Sequence, residues 1–307
     1  VPSGCTPVAT SIGGVHAPNL GGLGLGMLTT IAGVEPAAEP GSAHGRLTER
    51  SAGKDTTTGH WEMAGIVLDE PFPLYPNGFP PEIIEAFESQ IGREVRGNVP
   101  ASGTEIIAEL GEEHLRTGRP IVYTSGDSVF QVATHTDVVS LPTLYEWCRV
   151  ARRLLTGENN VGRVIARPFA GEPGAFVRRP ERRDFSVPPP GPTLLDRCVE
   201  HAVAVYGVGK IQDIFARQGI TEARYSDSND HGVDLTIDYL RRSGPALVFS
   251  NLVDFDSKYG HRNDPEGYAH AIEALDVRIP ELVGALGGGV LLLTGDHGCD
   301  PTTPSTD

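Results

Sequence analysis

"PALVFSNLVD", residues 245–254, is an apolar run that ends in a carboxylate. Such a run is typical of a strand buried on both faces, as in a parallel sheet. The following "PEGYAHAIEALDVRIPELVGAL", residues 265–286, has helical spacing and begins with a proline suited to a first helical turn. Two more apolar runs, residues 202–210 and 287–298, predict further buried strands. This alternation indicates an α/β fold with a mainly parallel sheet covered by helices on both faces.

Polar residues lie at or just beyond the carboxyl end of each of these predicted strands. They are Lys210, then Asp254, Asp256 and His261 in "DFDSKYGH", then Asp296, His297 and Asp300 in "TGDHGCD". Ligands of parallel sheets bind beyond the carboxyl ends of the strands, so we expect these side chains to meet there. Carboxylates and imidazoles suit divalent metals, and two adjacent ions would clamp the oxygens of a displacement at phosphorus. The alternative is that the Asp and His residues only cap the helices that follow.

The stretch "GKDTTTGHWEMAG", residues 53–65, adds three consecutive hydroxyls. One of Thr56, Thr57 and Thr58 could act as a nucleophile that a bound metal makes acidic. The alternative interpretation is an N-terminal helix cap, in which the threonine hydroxyls bond backbone N–H groups.

Composition narrows the classes of partner. The formal net charge of -15 disfavours nucleic acid and anionic membranes. No apolar run approaches the roughly 20 residues that cross a bilayer, and the start lacks the pattern of a signal peptide. The four cysteines are widely spaced without a CxxC pair, which predicts a reducing, cytoplasmic location. A phosphorylated substrate would need locally concentrated cations.

Two proline-rich stretches divide the chain. They are "DEPFPLYPNGFPPE" at residues 69–82 and "SVPPPGPT" at residues 186–193. The segment between them contains strand-like runs and the amphipathic helix "LYEWCRVARRLL". We therefore predict a core domain formed by residues 1–70 and 188–307, with a smaller α/β domain inserted over residues 71–187.

Five motifs together resemble phosphopentomutase, a bacterial family within the alkaline phosphatase superfamily. They are "GKDTTTGHWEMAG", "NLVDFDSKYGHRNDPEGY", "TGDHGCDPTTPSTD", "ASGTEIIAELGEEHLRTGRPIVYTSGDSVFQ" and "GRVIARPFAGEPG". The first is close to diagnostic, whereas the metal motifs are shared more widely across the superfamily. The resemblance covers nearly all of the chain and implies an alkaline-phosphatase-like core with an inserted cap domain.

The resemblance implies specific roles. Thr56, directly after the aspartate of "GKDT", corresponds to the family's phosphorylated threonine. The implied metal ligands, for two Mn²⁺ or other divalent ions, are Asp256, His261, Asp296 and His297. The implied reaction, an isomerisation, interconverts ribose 1-phosphate and ribose 5-phosphate, and the 2-deoxyribose phosphates, through a phosphothreonine and a bisphosphorylated sugar.

The substrate contacts implied in the inserted domain fall on Ser125, Val129 and Ile165. Three cations suit the substrate phosphate, namely Arg163, Arg167 and Lys210. Ordinary structural roles are the alternatives: a strand face paired with Glu172 or a similar acid for the arginines, a solvated strand end for Lys210, and plain strand positions for Ser125 and Val129.

Two functional alternatives stay open. One is a related metal-dependent phosphatase or mutase for a different sugar phosphate, which Gly126 favours because the family usually has alanine there. The other is a non-catalytic metal-binding protein. The family also has a metal-binding aspartate two positions before Val1 and a histidine directly after Asp307. We therefore expect this sequence to be part of a longer protein.

Overall fold

The computed structural model describes residues 5–125 and 127–303. Gly126 and both ends of the chain, residues 1–4 and 304–307, lie outside the described residues. The chain divides into two compact units. The larger unit consists of Val1–Glu70 with Pro189–Asp307, and the smaller unit is Pro71–Pro188.

The larger unit begins with four helices, α1 (Cys5–Ile12), α2 (Pro18–Gly22), α3 (Leu25–Leu28) and α4 (Thr56–Met63). The smaller unit contains α5 (Pro81–Ile91), β1 (Arg96–Pro100), α6 (Gly103–Thr117), β2 (Ile121–Thr124), β3 (Val129–His135), α7 (Leu141–Leu154), β4 (Arg163–Ala170), β5 (Val177–Arg178) and β6 (Arg183–Ser186). The larger unit then resumes with α8 (Leu194–Glu200), β7 (Ala204–Val208), α9 (Ile211–Ile214), β8 (Glu222–Arg224), α10 (Asn229–Leu240), β9 (Ala246–Ser250) and α11 (Pro265–Ala285).

The sheet of the smaller unit runs in the order β1-β2-β3-β4-β5, with β6 also paired to β4. The pairs β1/β2 and β3/β4 are parallel and the others are antiparallel. One face packs Val122, Phe130 and Val164 into a core with α5 and α7. The other face packs Ile121 and its neighbours against α6. Both faces of this sheet are therefore covered by helices.

Helix α7 has the N-cap and the buried stripe that its sequence pattern predicts. Ser140 caps it by accepting a hydrogen bond from the backbone N–H of Thr143. Its buried residues Leu144, Trp147 and Cys148 recur at helical spacing and face the core. The predicted helix over "LYEWCRVARRLL" is confirmed.

The sheet of the larger unit has the order β8-β7-β9, and all three strands are parallel. Helices α8 and α10 both contact β7 and β9, and α10 also packs against α11. The predictions of a strand within residues 202–210 and a helix over residues 265–286 are confirmed by β7 and α11. The predicted fold class is confirmed as well: α/β, with a mainly parallel sheet and covering helices.

Two strand predictions in the larger unit need correction. Residues 245–254 contain the shorter strand β9, whose first residue is exposed and whose others are half-buried. Residues 287–298 form no strand, and Val290 and Leu292 are 82% and 83% exposed. A strand needs a neighbour for its backbone N–H and C=O groups, and no described segment pairs with residues 287–298. Three consecutive glycines at the start of this segment also raise the entropic cost of extending it.

Each unit buries one tryptophan. Trp61 on α4 is 1% exposed, and its indole Nε1–H donates a hydrogen bond to the carbonyl oxygen of Ile214 at 3.0 Å. This bond ties α4 to the end of α9. Trp147 on α7 is 7% exposed, and the Arg93 guanidinium lies 5.9 Å from its ring centre. Among the helices of the described ranges, none is long and apolar enough to cross a membrane.

Candidate active site

The start of α4 orients the threonine motif. Asp55 is the N-cap, and its carboxylate accepts hydrogen bonds from the backbone N–H groups of Thr57 (2.9 Å) and Thr58 (3.1 Å). It also accepts a hydrogen bond from the Thr58 hydroxyl, with the two oxygens 2.6 Å apart. The alternative in which threonine hydroxyls cap the helix is therefore wrong, because the carboxylate performs that task. Thr57 and Thr58 are buried, whereas Thr56 is half-buried at the first helical position.

Thr56 lies beside the predicted metal ligands. Its Oγ1 is 3.3 Å from His297 Nε2. The same imidazole nitrogen is 3.8 Å from an Asp296 oxygen and 3.9 Å from Asp256 Oδ1. Asp256 Oδ1 is in turn 2.9 Å from His261 Nε2. The larger unit thus brings all five residues together, from α4, from the π-helical turn Phe255–Tyr259 with the turn after it, and from the loop after α11.

The two carboxylates of this cluster are held in their charged form. Burial alone would raise the pKa of Asp256, but the hydrogen bond from His261 and the charges of His261, His297 and Lys210 lower it overall. Burial would likewise raise the pKa of Asp296, and the hydrogen bond from His60 with nearby imidazole charge lowers it overall. Both groups are therefore anionic near neutral pH.

The donor set suits a divalent cation. Metal–ligand bonds of about 2.0–2.2 Å place ligand atoms of one ion roughly 3–3.5 Å apart. The 2.9 Å separation between Asp256 and His261 is close to that spacing. Within residues 5–125 and 127–303, no group of three or more His, Cys, Asp or Glu side chains converges on one point. The pairs Asp256 with His261 and Asp296 with His297 have the donor atoms that suit a metal ion, and their role as ligands stays a prediction.

A glycine allows α4 to approach the Asp296 loop. A Cβ added to Gly59 would lie 1.7 Å from the backbone carbonyl oxygen of Asp296, which no side chain tolerates. Directly after it, His60 is 2% exposed, and its Nδ1 lies 3.2 Å from Asp296 Oδ2. The sequence interpretation missed both residues. The only feature of the sequence that could have identified them is their spacing. They lie three and four residues after Thr56, on the same face of the same helix.

Two aspartates of the metal motifs serve local structure instead. Asp254 accepts a hydrogen bond from the Asn229 backbone N–H at 2.8 Å and pairs with Lys258 at 3.0 Å. Asp300 accepts one from the Thr302 backbone N–H at 2.9 Å. Lys210 lies two residues after the end of β7. Its charge contributes to the lowered pKa of Asp256. Lys210 is therefore close to the cluster, as expected for a strand-end cation.

The candidate residues on the strands of the smaller unit share one face of its sheet. Arg163, Ile165 and Arg167 alternate along β4, and in the parallel register Val129 pairs with Arg163. Ser125 directly follows β2. Val129 and Ile165 are each 2% exposed, so little of either side chain is open in this conformation. Their contact with a substrate stays a prediction.

The arginines on this face have partners of their own. Arg163 lies 3.6 Å from carboxylate oxygens of both Asp127 and Asp184, and Arg167 Nε donates to the Gln131 side chain at 3.0 Å. Arg163 therefore has the ion pairs with acids that its structural alternative predicts, although the acids are Asp127 and Asp184 rather than Glu172, whereas Arg167 bonds an amide. Burial would raise the pKa of Asp184, but hydrogen bonding and charge from the arginines lower it overall. Asp184 was missed because its placement depends on the pairing of β6 with β4.

Comparisons with known proteins agree with the motifs. Residues 5–307 match the sequence profile of the metalloenzyme superfamily. The phosphopentomutase of Kosmotoga olearia is 57% identical over 301 residues, covering 97% of this chain and 77% of that protein. That of Anaeromyxobacter dehalogenans strain 2CP-C is 60% identical over 299 residues, covering 97% and 76%. That of Acetivibrio thermocellus is 55% identical over 301 residues, covering 98% and 78%. The resemblance inferred from the five motifs is confirmed.

Proposed function

The chain belongs to the phosphopentomutase family of the metalloenzyme superfamily, and on that premise we propose that it transfers phosphate through Thr56. It is an isomerase that acts on a pentose phosphate. The substrates we propose are ribose 1-phosphate and ribose 5-phosphate, with their 2-deoxy counterparts. The observation that carries the proposal is the 3.3 Å separation between Thr56 Oγ1 and His297 Nε2, beside two ionised aspartates.

Membership of the metalloenzyme superfamily implies dependence on a divalent metal. We propose two Mn²⁺ ions, one held through Asp256 and His261 and the other through Asp296 and His297. When bound, such ions make a hydroxyl proton more acidic and offset negative charge on a phosphoryl group. The anionic state of both aspartates suits them to this task, because neither has to lose a proton before binding.

The covalent steps exchange one phosphate ester for another. In the first, the free hydroxyl of the pentose phosphate attacks phosphorus on phosphorylated Thr56; a sugar O–P bond forms, the Thr56 O–P bond breaks, and the hydroxyl proton ends on Thr56 Oγ1. The product is a bisphosphorylated sugar. After this sugar reorients, Thr56 Oγ1 attacks the phosphate that the sugar carried at the start; the bond between that phosphate and the sugar breaks, and the Thr56 proton ends on the released sugar oxygen. Lys210 supplies positive charge beside Asp256 for the developing phosphoryl charge.

The smaller unit is proposed to recognise the substrate phosphate through Arg163 and Arg167. Both guanidinium groups belong to one sheet face, where Asp184 and Gln131 fix their orientation. We also propose a cytoplasmic location, in keeping with the four cysteines, none of which forms a disulfide within the described residues.

A nucleophile substitution tests the proposal. Thr56→Ala should lower conversion of ribose 1-phosphate to ribose 5-phosphate by about 10⁴-fold or more, because it removes the attacking oxygen. Intact-protein mass spectrometry should find a phosphate adduct on the unsubstituted chain and none on the variant. The matched control is Thr57→Ala, which removes the hydroxyl of a neighbouring residue that is only 5% exposed and should retain activity. Full turnover in Thr56→Ala would refute the proposal.

The same assay separates a mutase from a phosphatase. Release of inorganic phosphate without ribose 5-phosphate would replace the proposed reaction with hydrolysis.

Removal of metal with a chelator should abolish turnover, and added Mn²⁺ should restore it. Elemental analysis of the reloaded protein should find two ions per chain, and a single ion would contradict the assignment of two pairs.

A further inference from the structure

We propose that His60 is a positioning residue, which fixes the Asp296 carboxylate relative to the backbone of the first turn of α4, where Thr56 lies. The inference rests on the proposed function, in which Thr56 carries the phosphate and Asp296 binds metal. In the proposed reaction, His60 contacts neither the substrate nor the reacting atoms. It acts through Asp296.

The geometry of His60 connects the two partners directly. Its Nδ1 lies 2.8 Å from the carbonyl oxygen of Thr56 and 3.2 Å from Asp296 Oδ2. Both partners are acceptors, so Nδ1 carries the proton and shares it between them. One N–H group therefore spans from the first turn of α4 to a residue far along the chain.

The surroundings of His60 fix its ring. The residue is 2% exposed, and the ring lies 5.5 Å from the ring of Phe249 on β9. Its neighbour Gly59 already brings the α4 backbone against the Asp296 carbonyl oxygen. Asp296 thus meets α4 at two points, its backbone beside Gly59 and its side chain beside His60. A metal-ligating carboxylate that is oriented by a hydrogen bond binds its ion more tightly.

His201 supplies an internal contrast. Its Nδ1 lies 2.8 Å from the carbonyl oxygen of Arg197, four residues earlier, which is the same local bond that His60 makes to Thr56. His201 is exposed, however, and no ion pair to a carboxylate accompanies that bond in the described part of the chain. The local bond alone is therefore a common helical feature. The contact with Asp296 is what distinguishes His60.

The experiment titrates metal-free protein with Mn²⁺ by calorimetry and measures steady-state kinetics on the reloaded enzymes. His60→Leu should weaken Mn²⁺ binding by about 10–100-fold and lower kcat with little change in KM, since the substrate contacts are untouched. His60→Asn should recover most of the affinity, because its amide N–H overlies the Nδ1 position. His60→Gln places its amide further out and should recover less. His201→Leu should bind Mn²⁺ like the unsubstituted protein.

Two outcomes would overturn the inference. One is a folded His60→Leu protein that binds Mn²⁺ as tightly as His201→Leu. The other is equal affinity in His60→Asn and His60→Gln, a comparison that holds even if the leucine variant does not fold. Asp296→Asn, measured in parallel, separates this failure from that of the proposed function. If Asp296→Asn keeps its metal affinity, the metal role of Asp296 is wrong; if only that variant loses affinity, His60 alone is misassigned.

Discussion

The sheets of the two units differ in how completely they are supported. In the smaller unit, every residue of β2 and β3 is buried, with helices on both faces. In the larger unit, β9 is at most half-buried, and the apolar residues after Gly289 form no strand. Yet the candidate catalytic residues belong to the larger unit, on turns and a helix start. An apolar run therefore predicts a need for burial but does not supply the neighbouring strand.

The largest effect is expected in the core of the smaller unit. Phe130 is fully buried, with its ring 4.7 Å from that of Phe79 and 5.2 Å from that of Phe87. Phe130→Ala should lower the free energy of unfolding by about 3–5 kcal/mol, because it leaves a cavity between these rings. Urea denaturation followed by circular dichroism would measure the loss. A loss below about 1 kcal/mol would contradict the tight packing assigned to this sheet.

The second prediction concerns the contact that places α4. Gly59→Ala should lower kcat by about 100-fold, since the added methyl forces the helix away from Asp296 and misplaces Thr56. Gly284→Ala is the matched control, because that helical glycine has open space around its Cβ position. Steady-state kinetics on both variants would decide the matter. Equal activity would show that the close approach has no catalytic consequence.

The third prediction is a pH dependence in the smaller unit. Burial lowers the pKa of His114, and the charges of His135 and Arg93 add to this, against the raising effect of its bond to the Arg119 carbonyl. The neutral imidazole donates to Arg119 through Nδ1 (2.7 Å) and accepts the His135 backbone N–H at Nε2 (2.9 Å). Protonation would break the second bond.

The direction of this pH dependence follows from proton linkage between the folded and unfolded states. Below an ordinary histidine pKa of about 6.5, the unfolded chain binds a proton that folded His114 resists. His114 therefore contributes full stability above that value and loses it as the pH falls, by at most about 1.4 kcal/mol per pH unit. Denaturation of the unsubstituted chain and of His114→Asn at several pH values would test this. The slope difference should appear only on the acidic side, and parallel slopes would contradict the argument.

The smallest effect is expected in the unpaired segment of the larger unit. Leu292→Ser should change the free energy of unfolding by no more than about 0.5 kcal/mol, because the side chain is 83% exposed. Leu144→Ser, at a fully buried leucine of the smaller unit, is the contrasting control and should destabilise strongly. A comparable loss at both positions would show that residue 292 is covered in solution.

The sequence pattern correctly predicted the elements whose formation depends mainly on their own residues. The stripe of α7 and the apolar run of β7 were readable because spacing alone sets which side is buried. Residues 287–298 defeated the same reasoning because strand pairing is a property of two segments. At the site, residue chemistry predicted a metal cluster, and the resemblance selected Thr56 and the ligand pairs. The roles of Asp55, Gly59 and His60 depend on hydrogen bonds and close contacts that composition does not encode.

The placement of the two indoles gives each unit its own optical probe. The chain has 2 tryptophans, and one lies in each unit, Trp61 and Trp147. Their environments differ, since Trp61 donates to a carbonyl oxygen and Trp147 lies under a guanidinium group. Ultraviolet emission from a chain with either residue replaced by phenylalanine would therefore follow one unit alone. Because Trp61 shares α4 with Thr56, its signal would also report ligand-induced changes near the nucleophile without any attached dye.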